Sequence, residues 1–289
     1  MTIPLMPIIS ELVFYPVKSC AGISVQTATL TRYGLAVNDV YDREWMVVTE
    51  DGQFLTQREF PKLALVTPRL KADVLELRAP NMLRLELPLG LPHPDDEVTR
   101  EVHLWDDTVL AYDCGDLAAT WFSNAIGSPC RLVRYHPRAG RLTSGKWTGG
   151  EQWPTMFADG YPVLVIGSAS LADLNGRLLA AGRGALPMNR FRPNLVVDGM
   201  PAYEEDYVAT FDLGENAQLR PCKPCARCPI PAVDQQTGER GPDPLDVLNT
   251  YRANPKLEGA AGFGMNAVLE GAEEITVHVG QDLPAQLNF

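Results

Sequence analysis

Long apolar runs are missing from this chain. The longest stretches, such as residues 161–167 (YPVLVIG), fall well short of the roughly 20 consecutive apolar residues that a membrane helix needs, so no membrane span is predicted. The opening segment MTIPLMPIISELVFYP has no Lys or Arg ahead of its apolar part and no small-residue cleavage site, which argues against a secretory leader and for a cytoplasmic location. Positive charge is scarce too. Lys plus Arg number 25 against 36 Asp plus Glu, a formal net charge of −11, and a surface of that sign repels nucleic acid. With only six cysteines a chain of this size has no disulfide scaffold, and a cytoplasm keeps thiols reduced. Phosphate-loop glycines are also wanting. No G-x-x-x-x-G-K-[ST] loop occurs, and the fingerprint-like GFGMNA at 262–267 opens a predicted strand with too few residues after it for a βαβ unit, so it reads as a turn. The four histidines stand singly, with no hydrolase nucleophile elbow, and nucleophilic hydrolysis has no support.

What remains is an ordinary globular composition: 289 residues, 45% apolar and 21% charged, enough for two domains. The first third alternates apolar and polar residues between tight turns, the pattern of half-buried strands. Asp51-Gly52 between two β-rich runs marks a hairpin, Leu75/Leu77 and Leu83/Leu85/Leu87 alternate about Pro80-Asn81, and EVHLWDDTVLAYDCG repeats the pattern around Asp106-Asp107. No helix of useful length precedes residue 115, so an all-β barrel or sandwich is predicted there. A helix is expected from Asp116 to Gly127, a second with Ser170 and Asp173 as capping box and Leu171, Leu174 and Leu178 on one face, and a third from Asp243-Pro244 to about Arg252. Between them, residues 137–155 read as a long loop, a feature often tied to function. Strands are expected at 163–166, 265–269 and 275–279.

Cys222, Cys225 and Cys228 form C-x-x-C-x-x-C. Thiolates select thiophilic metals, but no fourth cysteine follows for an iron–sulfur run and no histidine is near for zinc. Cys222 and Cys225 also read as small buried hydrophobes. One ligating cysteine with supporting neighbours is the third option. Cations meanwhile stand at strand ends where an acidic protein has little need of them: Lys18-Ser19 after LVFYPV, Arg43 before WMVV, and Arg192 in FRPN before LVV. With Asn194 and Asp159 they suggest a pocket for a phosphorylated polar heterocycle, since Arg forks a phosphate and Lys adds a point charge.

YPVKSCAG, YDREW, FADGYPVLVIGSASLADLN, FRPNLVVDG and KPCARCPIPAVDQQTG together resemble proteins in which an N-terminal MOSC β-barrel domain precedes a MOSC domain, among them bacterial YcbX-like proteins and the mitochondrial amidoxime-reducing component. The resemblance implies a mainly β, α+β fold, with the MOSC N-terminal β-barrel domain over residues 1–122 and a MOSC β-barrel domain with a few helices over residues 123–289. It implies a molybdenum–molybdopterin cofactor of the sulfite-oxidase type, with Cys228 as metal ligand and catalytic centre. Lys18, Ser19, Arg43, Asp159, Gly160, Arg192, Asn194 and Arg227 would be the cofactor-binding set. The implied reaction is two-electron reduction of small N-hydroxylated compounds (amidoximes, hydroxylamines, N-hydroxylated bases). The chain shows no flavin or nicotinamide fingerprint, and no ferredoxin-like domain follows as in some YcbX-type proteins, so a separate electron-donor protein is expected. Tyr41, Ala226 and Gln235 depart from the family pattern, which often has Arg, Ser and Pro there. Two other functions are open: a sulfur carrier with a persulfide on a cysteine beside Arg227, whose cation would lower a thiol pKa, and a zinc-bound β-barrel interaction module.

Overall fold

Leu75 and Leu77 pair with Leu87 and Leu85 across an antiparallel hairpin, and all four are buried, so the alternation legible in that segment forms one face of a core. The structure, a computed structural model, describes residues 6–288; the first five residues of the opening segment lie outside the described residues. The fold is mainly β, with three α-helices among the described residues. An eight-stranded sheet runs in the order 285–287, 208–214, 217–226, 262–270, 163–167, 195–198, 8–14, 23–25. Its one parallel pair, Val163–Gly167 with Leu195–Asp198, is joined through a helix, as a parallel crossover requires. Two four-stranded sheets (99–104, 107–113, 131–135, 45–48; and 274–278, 27–31, 34–37, 40–41) and a three-stranded sheet (67–70, 74–78, 85–88) complete it. Among the described residues no helix is long and apolar enough to cross a membrane.

Helix α1 (Gly115–Ile126) ends at Gly127 in the left-handed conformation, the predicted C-cap. Residue 122 falls inside this helix, and strands from 8–14 to 40–41 join sheets whose other members follow residue 160. The two halves share sheets.

Local expectations are corrected in four places. Trp105-Asp106, not Asp106-Asp107, is the two-residue loop, because Leu104 pairs with Asp107. Helix α2 (Ser168–Ala180) starts before the predicted capping box, since the Ser170 hydroxyl donates to Glu205 Oε1 at 2.7 Å instead of capping. Helix α3 spans only Leu245–Leu248, although Asp243 Oδ1 does accept from Leu245 N at 3.0 Å. GFGMNA is no turn: it lies in strand Gly262–Glu270. There Gly264 has φ +79°, and a Cβ would sit 2.6 Å from Ile166 Cγ1 and 2.8 Å from Val165 O. Gly264→Ala is therefore expected to destabilise the protein by about 2–4 kcal/mol, a drop in Tm of several degrees. An unchanged Tm would show that the neighbouring strand gives way freely.

Candidate functional site

Five segments end at one cleft. The turn after strand Ile8–Phe14 carries Lys18 and Ser19, the turn before Trp45–Val48 carries Arg43, and the loop before Val163–Gly167 carries Asp159 and Gly160. Arg192 and Asn194 precede strand Leu195–Asp198, and Arg227 and Cys228 follow strand Ala217–Ala226. All nine residues singled out in the sequence line this one cleft, which is open to solvent. Backbone bonds knit the segments: Lys18 N donates to Trp45 O, Arg43 N to Tyr15 O, Asn194 N to Leu164 O and Arg227 N to Ala261 O.

Three of these residues, Ser19 (φ 66°), Arg43 (φ 54°) and Arg192 (φ 58°), hold left-handed backbone without being glycine. Each costs about 1 kcal/mol or more, and such strain persists where the surroundings force it, characteristically at ligand sites. Charge is concentrated as well. Lys18, Arg43, Arg58, Arg192 and Arg227 line the cleft against one carboxylate, Asp159, in a chain of net charge −11. Lys18 is buried, which pulls its ammonium below the usual range while Asp159, 2.5 Å away, pulls it back. Arg43 and Arg192 both stack on the Tyr15 ring, at 4.4 and 4.3 Å. Burial, with Arg43 beside it, also draws Arg192 below the guanidinium range.

Buried polar atoms without partners mark what is wanted here. Arg192 Nη2 and Arg227 Nε are buried with no hydrogen-bond partner, an arrangement that costs free energy until an acceptor arrives. Asn194 is the reverse. Its amide accepts from Arg43 Nη1 (3.2 Å) and Leu164 N (3.1 Å) and donates to Val13 O (3.2 Å) and Asp42 Oδ1 (3.0 Å), which saturates it. It positions Arg43, as does Asp42, whose carboxylate pairs with Arg43 Nη1. A Cβ on Gly160 would meet nothing within 4 Å, so that residue is under no steric demand.

The three clustered cysteines separate. Cys222, half-buried, packs against Trp153, Tyr161 and Val268, and burial pushes its thiol up to about 12. Cys225 is not the buried hydrophobe expected, because it lines the cleft beside Cys228, and Arg227 Nη1 lies 3.2 Å from its sulfur. Arg227 thus accompanies Cys225. Among the described residues no group of three or more His, Cys, Asp or Glu side chains is gathered as a metal-ligand cluster. Two thiols, Cys225 and Cys228, share the cleft with the ring of cations.

Several residues of the site escaped the sequence reading. Arg58 and Thr56 line the cleft; Arg58 carried only the weak signal of another cation near a strand end. Fully buried Gln57 donates to Ser19 O at 2.7 Å and exchanges amide bonds of 3.1 and 2.9 Å with Gln235. Arg141, from the long loop, donates to Ala158 O (2.6 Å) and Asp159 O (3.1 Å), so that loop braces the cleft wall. Nothing local in the sequence announces contacts that span such separations.

Residues 6–129 match the MOSC N-terminal beta barrel domain and residues 153–284 the MOSC domain. The chain is 36% identical to mitochondrial amidoxime reducing component 2 of Bos taurus, over 84% of this chain and 72% of that protein. It is 32% identical to mitochondrial amidoxime-reducing component 1 of Homo sapiens, over 93% and 80%. It is also 32% identical to molybdenum cofactor sulfurase of Oryza sativa subsp. japonica, over 92% of this chain and 33% of that protein.

Proposed function

The chain belongs to the MOSC-domain family, with a MOSC N-terminal β-barrel domain ahead of the MOSC domain, and from that membership we propose that it is a molybdenum-cofactor-dependent reductase of N-hydroxylated compounds. The observation that carries this reading is the meeting of Cys228 with five cations, two of which hold partnerless buried nitrogens. The relatives named as amidoxime-reducing components support the reaction class. In the net reaction an amidoxime, hydroxylamine or N-hydroxylated base takes two electrons and two protons, its N–O bond breaks, and water leaves with the amidine, the amine or the free base respectively. When bound, the cofactor supplies a two-electron redox metal and its pterin dithiolene.

The protein's part is holding and orienting. Cys228 offers the one protein thiolate for the metal. Arg192 and Arg227 present N–H groups that have no other acceptor, matched to a phosphate or a pterin oxygen. Lys18 adds charge without a fork, and Asp42 and Asn194 fix the Arg43 guanidinium so that it spends nothing on reorganisation when an anion binds. Ser19 is held in its strained turn by Gln57. Electrons come from a separate donor protein docking transiently.

A second reading rests on the 3.2 Å contact between Arg227 and Cys225: a cysteine persulfide that carries sulfur, in keeping with the name of the rice relative. Elemental and pterin analysis of protein made in a cofactor-competent host separates the two. We expect molybdenum and pterin at near-equal amounts, approaching one per chain. Labile sulfur on protein free of metal would replace the reductase by the carrier, and stoichiometric zinc would remove both.

A further inference from the structure

Trp105 breaks the rule of its turn. A two-residue hairpin loop whose first residue has positive φ favours Asn, Asp or Gly, yet Trp105 takes φ 56° there and remains 48% exposed. A sequence choice that costs local stability and leaves an aromatic ring in water points to function. The ring is not loose. His103 N donates to Gly52 O and Phe54 N to His103 O, which ties the hairpin to the segment leading to Arg58. The indole N–H donates to Asp159 Oδ1 at 3.3 Å, the Arg58 guanidinium stacks on the indole at 4.7 Å, and Phe54 packs against it at 4.9 Å. Asp159 and Arg58 both line the cleft, so Trp105 stands at its mouth.

We propose that Trp105 and Arg58 form a recognition wall at the cleft mouth, which selects flat, conjugated N-hydroxylated substrates such as aryl amidoximes over small unconjugated ones such as hydroxylamine. The selection rests on the reductase reading above. The exposed part of the indole, backed by the Arg58 guanidinium stacked on it, offers a planar surface on which a conjugated ring or amidoxime plane stacks. Hydroxylamine has no such plane.

The test uses cofactor-loaded protein and Trp105→Asn, which removes the ring while supplying a residue that the turn prefers, so that folding is retained. With reduced viologen as electron source, the variant should raise KM for benzamidoxime about tenfold, the scale of one lost stacking contact, while KM for hydroxylamine moves far less and kcat for benzamidoxime holds. Trp105→Phe should recover most of the loss, and Arg58→Met, which keeps the stem and removes the plane, should reproduce part of it. Equal changes in KM for both substrates, or none, would overturn the wall. A titration of benzamidoxime without reductant reads the same contact apart from turnover. If viologen drives no N–O cleavage in the wild type, the reductase reading falls. The wall then stands on a dissociation constant about tenfold weaker in Trp105→Asn, and it falls if the two proteins bind alike or the wild type does not bind.

Discussion

Replacing Cys228 by Ala is expected to lower N-hydroxylamine and amidoxime reduction by more than about a hundredfold and to deplete molybdenum, since even the supporting partners of metal ligands are worth about 10–100-fold. Cys222→Ala should do neither. Its thiol is packed among Trp153, Tyr161 and Val268 and held protonated by burial, at about 12, so its loss costs about 1 kcal/mol of packing and leaves the cleft intact. Cys225 is the informative third variant. It lines the cleft with Cys228 and touches Arg227, and under the reductase reading Cys225→Ser keeps full metal content. Equal loss of metal from Cys222→Ala and Cys228→Ala would instead require a shared thiolate site, and loss of labile sulfur from Cys225→Ser alone would favour the carrier.

Lys18, Arg43 and Arg192 were legible in the sequence because a cation at a strand end in an acidic chain has no structural need to be there, and the structure sets all three in one cleft. The hairpin of Leu75/Leu77 with Leu85/Leu87 was legible because a period of two leaves one face apolar. Ser170 misled because its hydroxyl is drawn to Glu205, a fully buried carboxylate 35 residues on, and a tertiary partner overrides a local cap. Gln57 and Gln235 were illegible for a related reason: their value lies in reciprocal amide bonds across 178 residues. Gln235, noted only as a departure from the family pattern, is therefore part of the brace under Ser19. That the Asn194 amide is engaged by four protein neighbours is also invisible in any local pattern. Sharing of sheets between the first strands and those after residue 160 likewise depends on pairings that no local period encodes.

Arg192 gives the second large effect, because there stability and binding should move in different directions. Its guanidinium is buried and stacked on Tyr15 beside a second cation, and its Nη2 has no partner among the described residues. In cofactor-free protein Arg192→Met removes an unsatisfied nitrogen worth about 1–3 kcal/mol and forfeits a ring contact worth about 0.5–2 kcal/mol, so Tm should stay level or rise. Cofactor retained through purification should nevertheless fall by more than about tenfold, on the scale of lost charge-assisted hydrogen bonds. Arg192→Lys sharpens the point. It keeps a positive group but has no fork, and burial next to Arg43 would push an ammonium toward its neutral form, so retention should still drop by about tenfold. Pterin content measured on both variants beside thermal melts of their cofactor-free forms decides the matter. Undiminished pterin in Arg192→Lys would take the fork out of the site, and a cofactor-free Arg192→Met that melts many degrees below the wild type would make Arg192 a structural residue whose strained backbone and missing partner have no bearing on an anion.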